Sequence, residues 1–396
     1  MSTIPTTAVA IEPLSISDRL SLVWRIPLLV IRCAANFASF CLSNGEIARL
    51  DWRQKLAHAY LRASRVTLTR KQQAQQRKLL TGPRIQGYCH RYNLEHRAVS
   101  VNNDTLYKKR DIPTPVLHFV KNPTTQPDGP TIFYLHGGGY HNPIKEQGHI
   151  PLALQFAAAC KAKQVVFLEY SLSPEQQYPC QLIQAVAGLR YLLEQEAVQA
   201  ENIVLVGDSA GGHLTASLLT HIVHPSPYAP PIDLRGRQLK AVLLVSPWMA
   251  MSEEQIKVLP RAPNDFLTRE SIVRFSNMFK PGLNEVWSNR CDMHDAVAVW
   301  KKLFPTSHEH AICRKAMLAV GTSEVLLDSC VSFALECMGC ETIYVNGQSD
   351  LRLVKEADFV LAIAPGEAHV QPGMDCALGY HDGKMMKAIS TFLEAC

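Results

Sequence analysis

Short, continuous apolar runs alternate with longer stretches of helical periodicity over most of the chain. Runs of Val, Ile, Leu and Phe that contain no polar alternation are typical of strands buried on both faces of a parallel sheet. Their alternation with helices predicts an α/β fold with a mostly parallel central sheet and helices on both faces. The predicted strands are 116–121, 131–135, 164–170, 203–207, 241–246 and 316–321, with a further apolar run at 359–363, and the predicted helices are 151–163, 180–195, 211–223 and 325–338.

The first 80 residues follow a different pattern, which predicts two helices. Ser17-Asp18 is a candidate N-cap for an apolar helix over 20–42 that is broken or offset near Pro27, and a second helix is expected over 46–80. The window 49–78 holds nine Lys/Arg and one acid, Asp51, a net charge of +8. A solvated helix face is the favoured interpretation of this window, and peripheral contact with anionic lipid through both helices is the alternative.

Composition limits the classes of protein. The 396 residues are 47% hydrophobic and 19% charged, which excludes disorder, collagen and coiled coil. The net charge of +5 is too small to indicate a nucleic-acid partner. We expect an N-terminal helical cap over 1–109, with membrane association left open, and a catalytic domain over 110–396 in which the insertion 249–304 forms a lid.

Targeting and cysteine patterns point to an intracellular protein. The apolar N-terminal stretch is interrupted by Arg25, Pro27 and Arg32, so neither a signal peptide nor a membrane span is expected. The twelve cysteines lack the dense spacing of a disulfide scaffold, and Cys337 and Cys340 lack the second ligand pair that zinc needs. The sequence therefore predicts a cytoplasmic protein, with membrane association as the open alternative, and no metal.

Gly207-Asp208-Ser209-Ala210-Gly211 is the strongest chemical signal in the chain. This G-x-S-x-G directly follows an apolar strand and directly precedes a helix, the context in which a nucleophilic serine is held in a sharp turn. Small neighbours leave room for that turn, and the helix N-terminus favours developing negative charge. A glycine turn in an ordinary strand–helix unit is the alternative, but the context predicts Ser209 as the nucleophile.

A second glycine-rich turn, His136-Gly137-Gly138-Gly139-Tyr140, follows the strand 131–135. Consecutive glycines expose backbone N–H groups that can stabilise one oxyanion. A phosphate loop is disfavoured because neither G-K-[ST] nor G-x-G-x-x-G is present. The two turns together predict acyl-transfer chemistry.

Chain order in this architecture places an acid and then a histidine after the serine. His369 follows the apolar run 359–363 and is the predicted base, with His381 in reserve. Glu324, three residues beyond Gly321 at the end of a strand, is the predicted acid in preference to Asp328.

These motifs resemble those of the hormone-sensitive-lipase-like branch of the α/β-hydrolase superfamily. The H-G-G-G and G-D-S-A-G-G segments match that family, Glu169–Glu175 is similar to its D-Y-R-L-A-P-E segment, and Ser246-Pro247 is similar to its S-P segment. The resemblance implies an eight-stranded sheet, a helical cap, no metal and no organic cofactor, with oxyanion donors at Gly138, Gly139 and Ala210. Glu324 stands where the family usually has Asp, and 346–356 is expected to be an inserted polar loop between acid and base.

The resulting functional expectation is a serine ester hydrolase that acts on a hydrophobic small-molecule ester. Tyr140, Trp248 and Phe266 are candidate substrate-binding residues, although ordinary core positions explain each of them equally well. An acyltransferase, lactonase, amidase or cyclase with the same triad remains open, and so does a non-catalytic ligand-binding receptor. The oligomeric state does not follow from the sequence.

Overall fold

A nine-stranded sheet forms the centre of the computed structural model, in the order β1-β2-β4-β3-β5-β6-β7-β9-β8. The structure describes residues 13–75, 79–101, 111–121, 128–260, 262, 264–289, 296–305 and 310–396. The strands are β1 His96–Ser100, β2 Val116–Val120, β3 Thr131–Leu135, β4 Gln164–Glu169, β5 Ile203–Asp208, β6 Leu239–Val245, β7 Cys313–Gly321, β8 Glu341–Tyr344 and β9 Phe359–Ala364.

The sheet confirms the predicted α/β class. Strands β3 to β9 pair in parallel, while β1 and β2 are antiparallel at one edge. Every residue of β3, β5 and β9 is buried, and a separate apolar core lies on each face of the sheet, as the continuous apolar runs predict. The seven predicted strands are present with ends shifted by up to three residues. The described sheet has nine strands where the resemblance implies eight, and it begins with β1, before residue 110.

The helices after the first strands differ from the expected ones mainly near the C-terminus. The prediction of an inserted polar loop over 346–356 is wrong. Residues Gln348–Glu356 form a helix, which follows the unpredicted strand β8. A polar sequence with one buried residue, Val354, forms this surface helix. The first four helices are α1 Ile16–Leu42, α2 Trp52–Thr67, α3 Arg70–Ala74 and α4 Thr81–Arg91. The helices that follow are α5 His149–Ala159, α6 Cys180–Glu194, α7 Ala210–Val223, α8 Glu253–Val258, α9 Arg269–Phe279 and α10 Ala296–Leu303. The last are α11 Leu327–Phe333, which continues into a π-helix Ala334–Met338, α12 Gln348–Glu356, α13 Gln371–Ala377 and α14 Lys384–Glu394.

The N-terminal helices correct three expectations. Helix α1 begins after Ser15, whose hydroxyl forms a capping box with Asp18, rather than after Ser17-Asp18. It continues through Pro27 as one helix of 27 residues, although the proline removes one of its internal hydrogen bonds. The expected second helix is divided into a 3₁₀ turn, α2 and α3 by the capping residues Asp51 and Thr69, and residues 76–78 lie outside the described part. Helix α4 was not expected.

Helix α1 also meets the length and composition of a membrane-crossing helix, contrary to the expectation that its charges and proline exclude one. Its 18-residue apolar window has a mean hydropathy of 1.4, and none of that window is buried in the protein. The helix instead contacts α2, and its residue Phe40 packs with Ile47, Leu50 and Ala59 in a small separate core.

The insertion between β6 and β7 carries helices α8, α9 and α10, as far as the structure describes it. Helix α9 lies over the glycine turn after β3. Its Phe275 ring packs so closely on Gly139 that a Cβ atom at this position would come within 2.6 Å of the ring. The Phe279 ring stacks on the Tyr140 ring with a centroid distance of 4.0 Å. This insertion therefore covers the carboxyl end of the sheet near β3.

Gly211 permits a close approach between helix α7 and strand β3. A Cβ atom there would lie 1.9 Å from the backbone oxygen of Leu135, which is fixed in the sheet. We expect Gly211→Ala to lower the free energy of unfolding by about 3 kcal/mol or more, measured by chemical denaturation.

The matched control is Gly87→Ala in helix α4, where no atom lies within 4 Å of the added Cβ atom. This change is expected to be neutral or to stabilise the protein by about 0.5–1 kcal/mol. Equal stability of the two variants would contradict the close packing of α7 on β3.

Candidate active site

The turn between β5 and α7 holds Ser209 in a conformation that few residues adopt. Its φ of 51° and ψ of −118° lie outside the ordinary regions for an L-residue. The backbone N–H of Ser209 donates to the carbonyl oxygen of Val245 at 2.9 Å, and the carbonyl oxygen of Ser209 accepts from the backbone N–H of Trp248 at 2.9 Å. A Cβ atom on Gly207 would come within 2.3 Å of the Gly211 oxygen, so small residues around Ser209 are a steric requirement, as the sequence predicts.

Ser209, His369 and Glu324 lie in one hydrogen-bonded line. The distance from Ser209 Oγ to His369 Nε2 is 2.8 Å, and the distance from His369 Nδ1 to Glu324 Oε2 is 3.2 Å. All three residues are buried, and they follow β5, β9 and β7 at the same edge of the sheet. With a proton on Nδ1 directed at the carboxylate, Nε2 is free to accept the hydroxyl proton of Ser209. The structure thus brings together the three residues selected from the sequence.

Ser246 holds the acid in place. Its hydroxyl donates to Glu324 Oε1 at 2.6 Å and accepts from the N–H of Val370 at 3.1 Å, next to His369. Glu324 Oε1 also accepts from the N–H of Gly321 at 2.7 Å. Ser246 therefore joins the loops of the acid and the histidine. The Ser-Pro segment is visible in the sequence, but the role of Ser246 appears only in the folded structure.

The carboxylate of Asp208 connects the serine turn with the glycine turn. Oδ1 accepts from the N–H of Gly137 at 3.0 Å and from the Tyr134 hydroxyl at 2.7 Å, and Oδ2 lies 3.3 Å from His149 Nε2. Burial alone would raise the pKa of Asp208, but His149 and these hydrogen bonds hold that pKa below its usual value. The glycine turn is therefore anchored by a charged acceptor.

The three predicted oxyanion donors lie in these two turns. Gly138 and Gly139 have φ values of 119° and 63°, which favour glycine, and Ala210 is the first residue of helix α7. Within the described residues, the N–H groups of Gly138 and Gly139 donate to no other protein atom. The first N–H groups of a helix also lack intrahelical partners, so all three are available to an anion.

A second buried carboxyl group, Asp265, lies near the acid. It comes from the insertion, and its oxygens accept from the N–H of Val325 at 2.9 Å and of Leu267 at 3.1 Å. Burial raises its pKa to about 6, the charge of His369 opposes that shift, and Glu324 adds to it. No sequence motif marks Asp265, which reaches the acid loop only through the folding of the insertion.

The three candidate substrate-binding residues have different surroundings. Tyr140 is fully buried, and its hydroxyl lies 2.6 Å from His213 Nδ1, which makes it part of the core. Trp248 is also buried and donates to the Ala250 oxygen at 2.6 Å. Phe266 is half-buried, with its ring centroid 5.6 Å from that of His369. Of the three, only Phe266 forms a ring contact with a residue of the Ser209–His369–Glu324 line.

The reserve base and the alternative acid lie outside the Ser209–His369–Glu324 line. His381 is exposed and contacts Gln155, and Asp328 lies on helix α11. No group of three or more His, Cys, Asp or Glu residues within the described residues could hold a metal ion.

Residues 132–343 match the protein family described as the alpha/beta hydrolase fold. This chain belongs to that family. The match includes the serine turn, the glycine turn and Glu324 but ends before His369. Among solved structures, an esterase from the bacterial hormone-sensitive lipase family superposes with a TM-score of 0.56 at 19% identity, covering 87% of this chain and 98% of that one. The expected membership of the α/β-hydrolase family is confirmed, and the superposition shows that this chain shares the fold of that esterase.

Two curated relatives match part of this α/β hydrolase. An acetyl-hydrolase of Streptomyces hygroscopicus is 31% identical over 141 residues, which are 35% of this chain and 43% of the relative. The carboxylesterase NlhH of Mycobacterium tuberculosis is 28% identical over 165 residues, which are 41% of this chain and 48% of the relative. The chain therefore spans less than half the length of these relatives.

A buried polar network joins helix α2 to the histidine loop of this hydrolase. Gln54 Nε2 donates to Asp375 Oδ2 at 2.9 Å, and Gln371 Nε2 donates to Asp375 Oδ1 at 2.7 Å. His58 Nε2 lies 2.8 Å from Gln371 Oε1, which also accepts from the N–H of Ala368, next to His369. The network thus runs from the N-terminal helices to the residue that precedes the histidine.

Asp375 makes the stability of this network depend on pH. Burial, together with the neighbouring Glu367, raises the pKa of Asp375 to about 8. Because the folded protein holds this proton more tightly than the unfolded chain, the stabilisation is complete below the ordinary pKa near 4 and is lost as the pH rises through about 8. Between pH 5 and 7, the free energy of unfolding should therefore fall as the pH rises. In Asp375→Asn this slope should be smaller by about 1.4 kcal/mol per pH unit, measured by chemical denaturation at each pH.

Asp382→Asn is the control, because the Asp382 side chain is 75% exposed. In this variant the free energy of unfolding should change with pH as steeply as in the unchanged protein. The same slope in the Asp375 variant would contradict a protonated buried carboxyl group.

Proposed function

We propose that this chain hydrolyses carboxylic esters of hydrophobic small molecules, with Ser209 as the nucleophile. The observation that supports this proposal is the continuous line from Ser209 Oγ through His369 to Glu324, with spacings of 2.8 and 3.2 Å. The names of the two curated relatives, an acetyl-hydrolase and a carboxylesterase, support the same reaction class.

In the first half of the proposed reaction, Ser209 Oγ attacks the ester carbonyl carbon while its proton moves to His369 Nε2. The imidazolium that forms is stabilised by Glu324, which accepts from Nδ1–H. The tetrahedral intermediate then collapses, and the leaving alcohol takes the proton from Nε2. In the second half, water attacks the acyl-enzyme with His369 as base, and the acid leaves as Ser209 regains its proton.

The N–H groups of Gly138, Gly139 and Ala210 are the proposed donors to the tetrahedral oxyanion. Preorganised donors stabilise this charge more than water does, and removal of one donor costs about 3–4 kcal/mol in transition-state stabilisation. The Asp208 bond to Gly137 N–H supports this role, because it fixes the turn that carries two of the donors before substrate binds.

An apolar acyl or alcohol group suits the surroundings of the site. Phe266 lies beside His369, and the Phe275 ring lies against Gly139, where substrate would meet the oxyanion donors. We propose Phe266 as a substrate contact. Trp248 and Tyr140 are buried and are proposed to shape the floor of the site rather than to touch substrate.

Ser209→Ala should abolish the burst of p-nitrophenol that accompanies acyl-enzyme formation on a p-nitrophenyl ester, because no hydroxyl remains to attack the carbonyl. Stopped-flow absorbance measures the burst. Ser217→Ala is the control, because this buried hydroxyl on the same helix donates to the backbone oxygen of His213 at 3.0 Å and lies about two helical turns beyond Ser209. A full burst from the Ser209 variant would reject the nucleophile.

In oxygen-18-labelled water, hydrolysis should place solvent oxygen in the released acid, which mass spectrometry detects. Release of unlabelled acyl product joined to a second acceptor would show acyl transfer instead and would overturn the hydrolase assignment.

Ser246 is proposed as a positioning residue that acts through Glu324. Ser246→Ala removes a hydrogen bond to a carboxylate, a contact worth about 1.5–3 kcal/mol, so kcat should fall about 10- to 100-fold. KM should change little. Since the carboxylate then becomes more basic, the apparent pKa of the acidic limb of kcat/KM should move upward.

Ser323→Ala removes a hydroxyl beside Glu324 in the chain and is the control for this variant. An unchanged pH profile with a lower kcat would indicate a purely structural role for Ser246.

A further inference from the structure

Helix α1 turns several polar side chains toward the protein, beside apolar ones such as Phe37 and Phe40, and its outer face is largely apolar. Arg25 donates to the Thr67 oxygen, Arg32 donates to Thr67 Oγ1 at 3.2 Å, and Asn36 donates to the Ala59 oxygen at 3.4 Å. The outer face of a surface helix in water is normally polar. The exposed face carries the large apolar residues Ile16, Leu20, Val23, Trp24, Ile26, Val30, Ile31 and Leu42.

Helix α2 carries a second exposed apolar stripe. Trp52, Leu56 and Tyr60 are spaced four residues apart, which places them on one face of the helix, and all three are exposed. The opposite face holds Gln54 and His58, which belong to the buried network. Helices α1 and α2 form a hairpin in which both members leave apolar side chains in contact with solvent.

We propose that this helical hairpin, α1 and α2, docks on the surface of a lipid bilayer with its exposed apolar side chains in the acyl region. Tryptophan and tyrosine side chains such as Trp24, Trp52 and Tyr60 suit the boundary between headgroups and acyl chains. Docking of the hairpin sets where the protein is located and is independent of the proposed ester hydrolysis.

The contacts of α2 favour a hairpin that lies in the plane of the membrane over a helix that crosses it. Asn36 ties α1 to α2, and Gln54 and His58 tie α2 to the histidine loop of the catalytic fold. A crossing α1 would therefore take these buried polar groups into the hydrocarbon or break their bonds, at a cost of several kcal/mol. A helix in the interface buries only one face, to a depth of about 5–10 Å.

Charge favours anionic lipid over a second copy of the chain. Residues 13–75 hold ten Lys/Arg and three Asp/Glu, a net charge of +7, and eight of the ten remain when Arg25 and Arg32, which bond to Thr67, are set aside. Each basic residue near an anionic membrane contributes about 1 kcal/mol of attraction. A two-fold contact between two hairpins would instead place two such charges face to face.

Vesicle flotation of the full chain tests the docking. Vesicles of phosphatidylcholine with about 30% phosphatidylserine should carry the protein upward in a density gradient, and pure phosphatidylcholine should carry less. Val23→Asn combined with Val30→Asn should lower the bound fraction on the order of tenfold, because two apolar side chains lose their burial without any change in charge.

The matched control is Val258→Asn on helix α8, since Val258 is 79% exposed and Val23 is 74% exposed. It should float like the unchanged protein, and circular dichroism should give equal melting for all variants. Equal flotation of the Val23/Val30 variant and the control would overturn the proposal. So would a dimer in size-exclusion chromatography that this variant dissociates, without flotation of the unchanged protein.

An N-terminal affinity tag separates the two membrane geometries. When the protein is added to sealed vesicles, protease outside should remove the tag if the hairpin lies in the interface. A protected tag would show a crossing helix and would overturn the in-plane geometry.

Discussion

A single buried carboxylate, that of Asp208, holds together the two turns on which the candidate site is built. It stands one residue before Ser209 and accepts the N–H of Gly137 from the neighbouring strand loop. Both turns are strained or glycine-dependent, so neither would keep its geometry by local preference alone. The parallel pairing of β3 with β5 brings them side by side, and Asp208 then fixes their distance. The arrangement of Ser209 relative to Gly138 and Gly139 depends on this one anchor.

The parts of the fold that could be predicted are those governed by local steric or apolar patterns. The strand before Ser209, the small residues around it and the glycine turn all carry signals within a few residues of each other, and the structure agrees with them. The short strands β1 and β8 were not predicted, because their exposed polar residues resemble loops. Their place in the sheet depends on pairing with β2 and β9.

Contacts between distant residues explain what the sequence could not reveal about the site. Ser246 contacts a residue 78 positions away, Asp265 one 60 positions away, and His58 one 313 positions away. Such partners are defined only after folding: the Ser-Pro segment does not reveal the contact of Ser246 with the acid, and no motif marks Asp265 or His58. Glu324 and His369 were accessible because each follows an apolar strand whose end lies at a known edge of the sheet.

The network of Gln54 and His58 with the histidine loop bears on how the chain can be divided. A fragment that begins after the N-terminal helices would lose both residues, and with them the amide that binds Asp375 and the imidazole beside Gln371. Asp375 Oδ2 and Gln371 Oε1 would then each lose one hydrogen-bond partner, and Gln371 Oε1 is the atom that also holds the N–H of Ala368, next to His369. The N-terminal helices are therefore a structural part of the unit that holds the candidate site, and removing them would alter the contacts of the His369 loop.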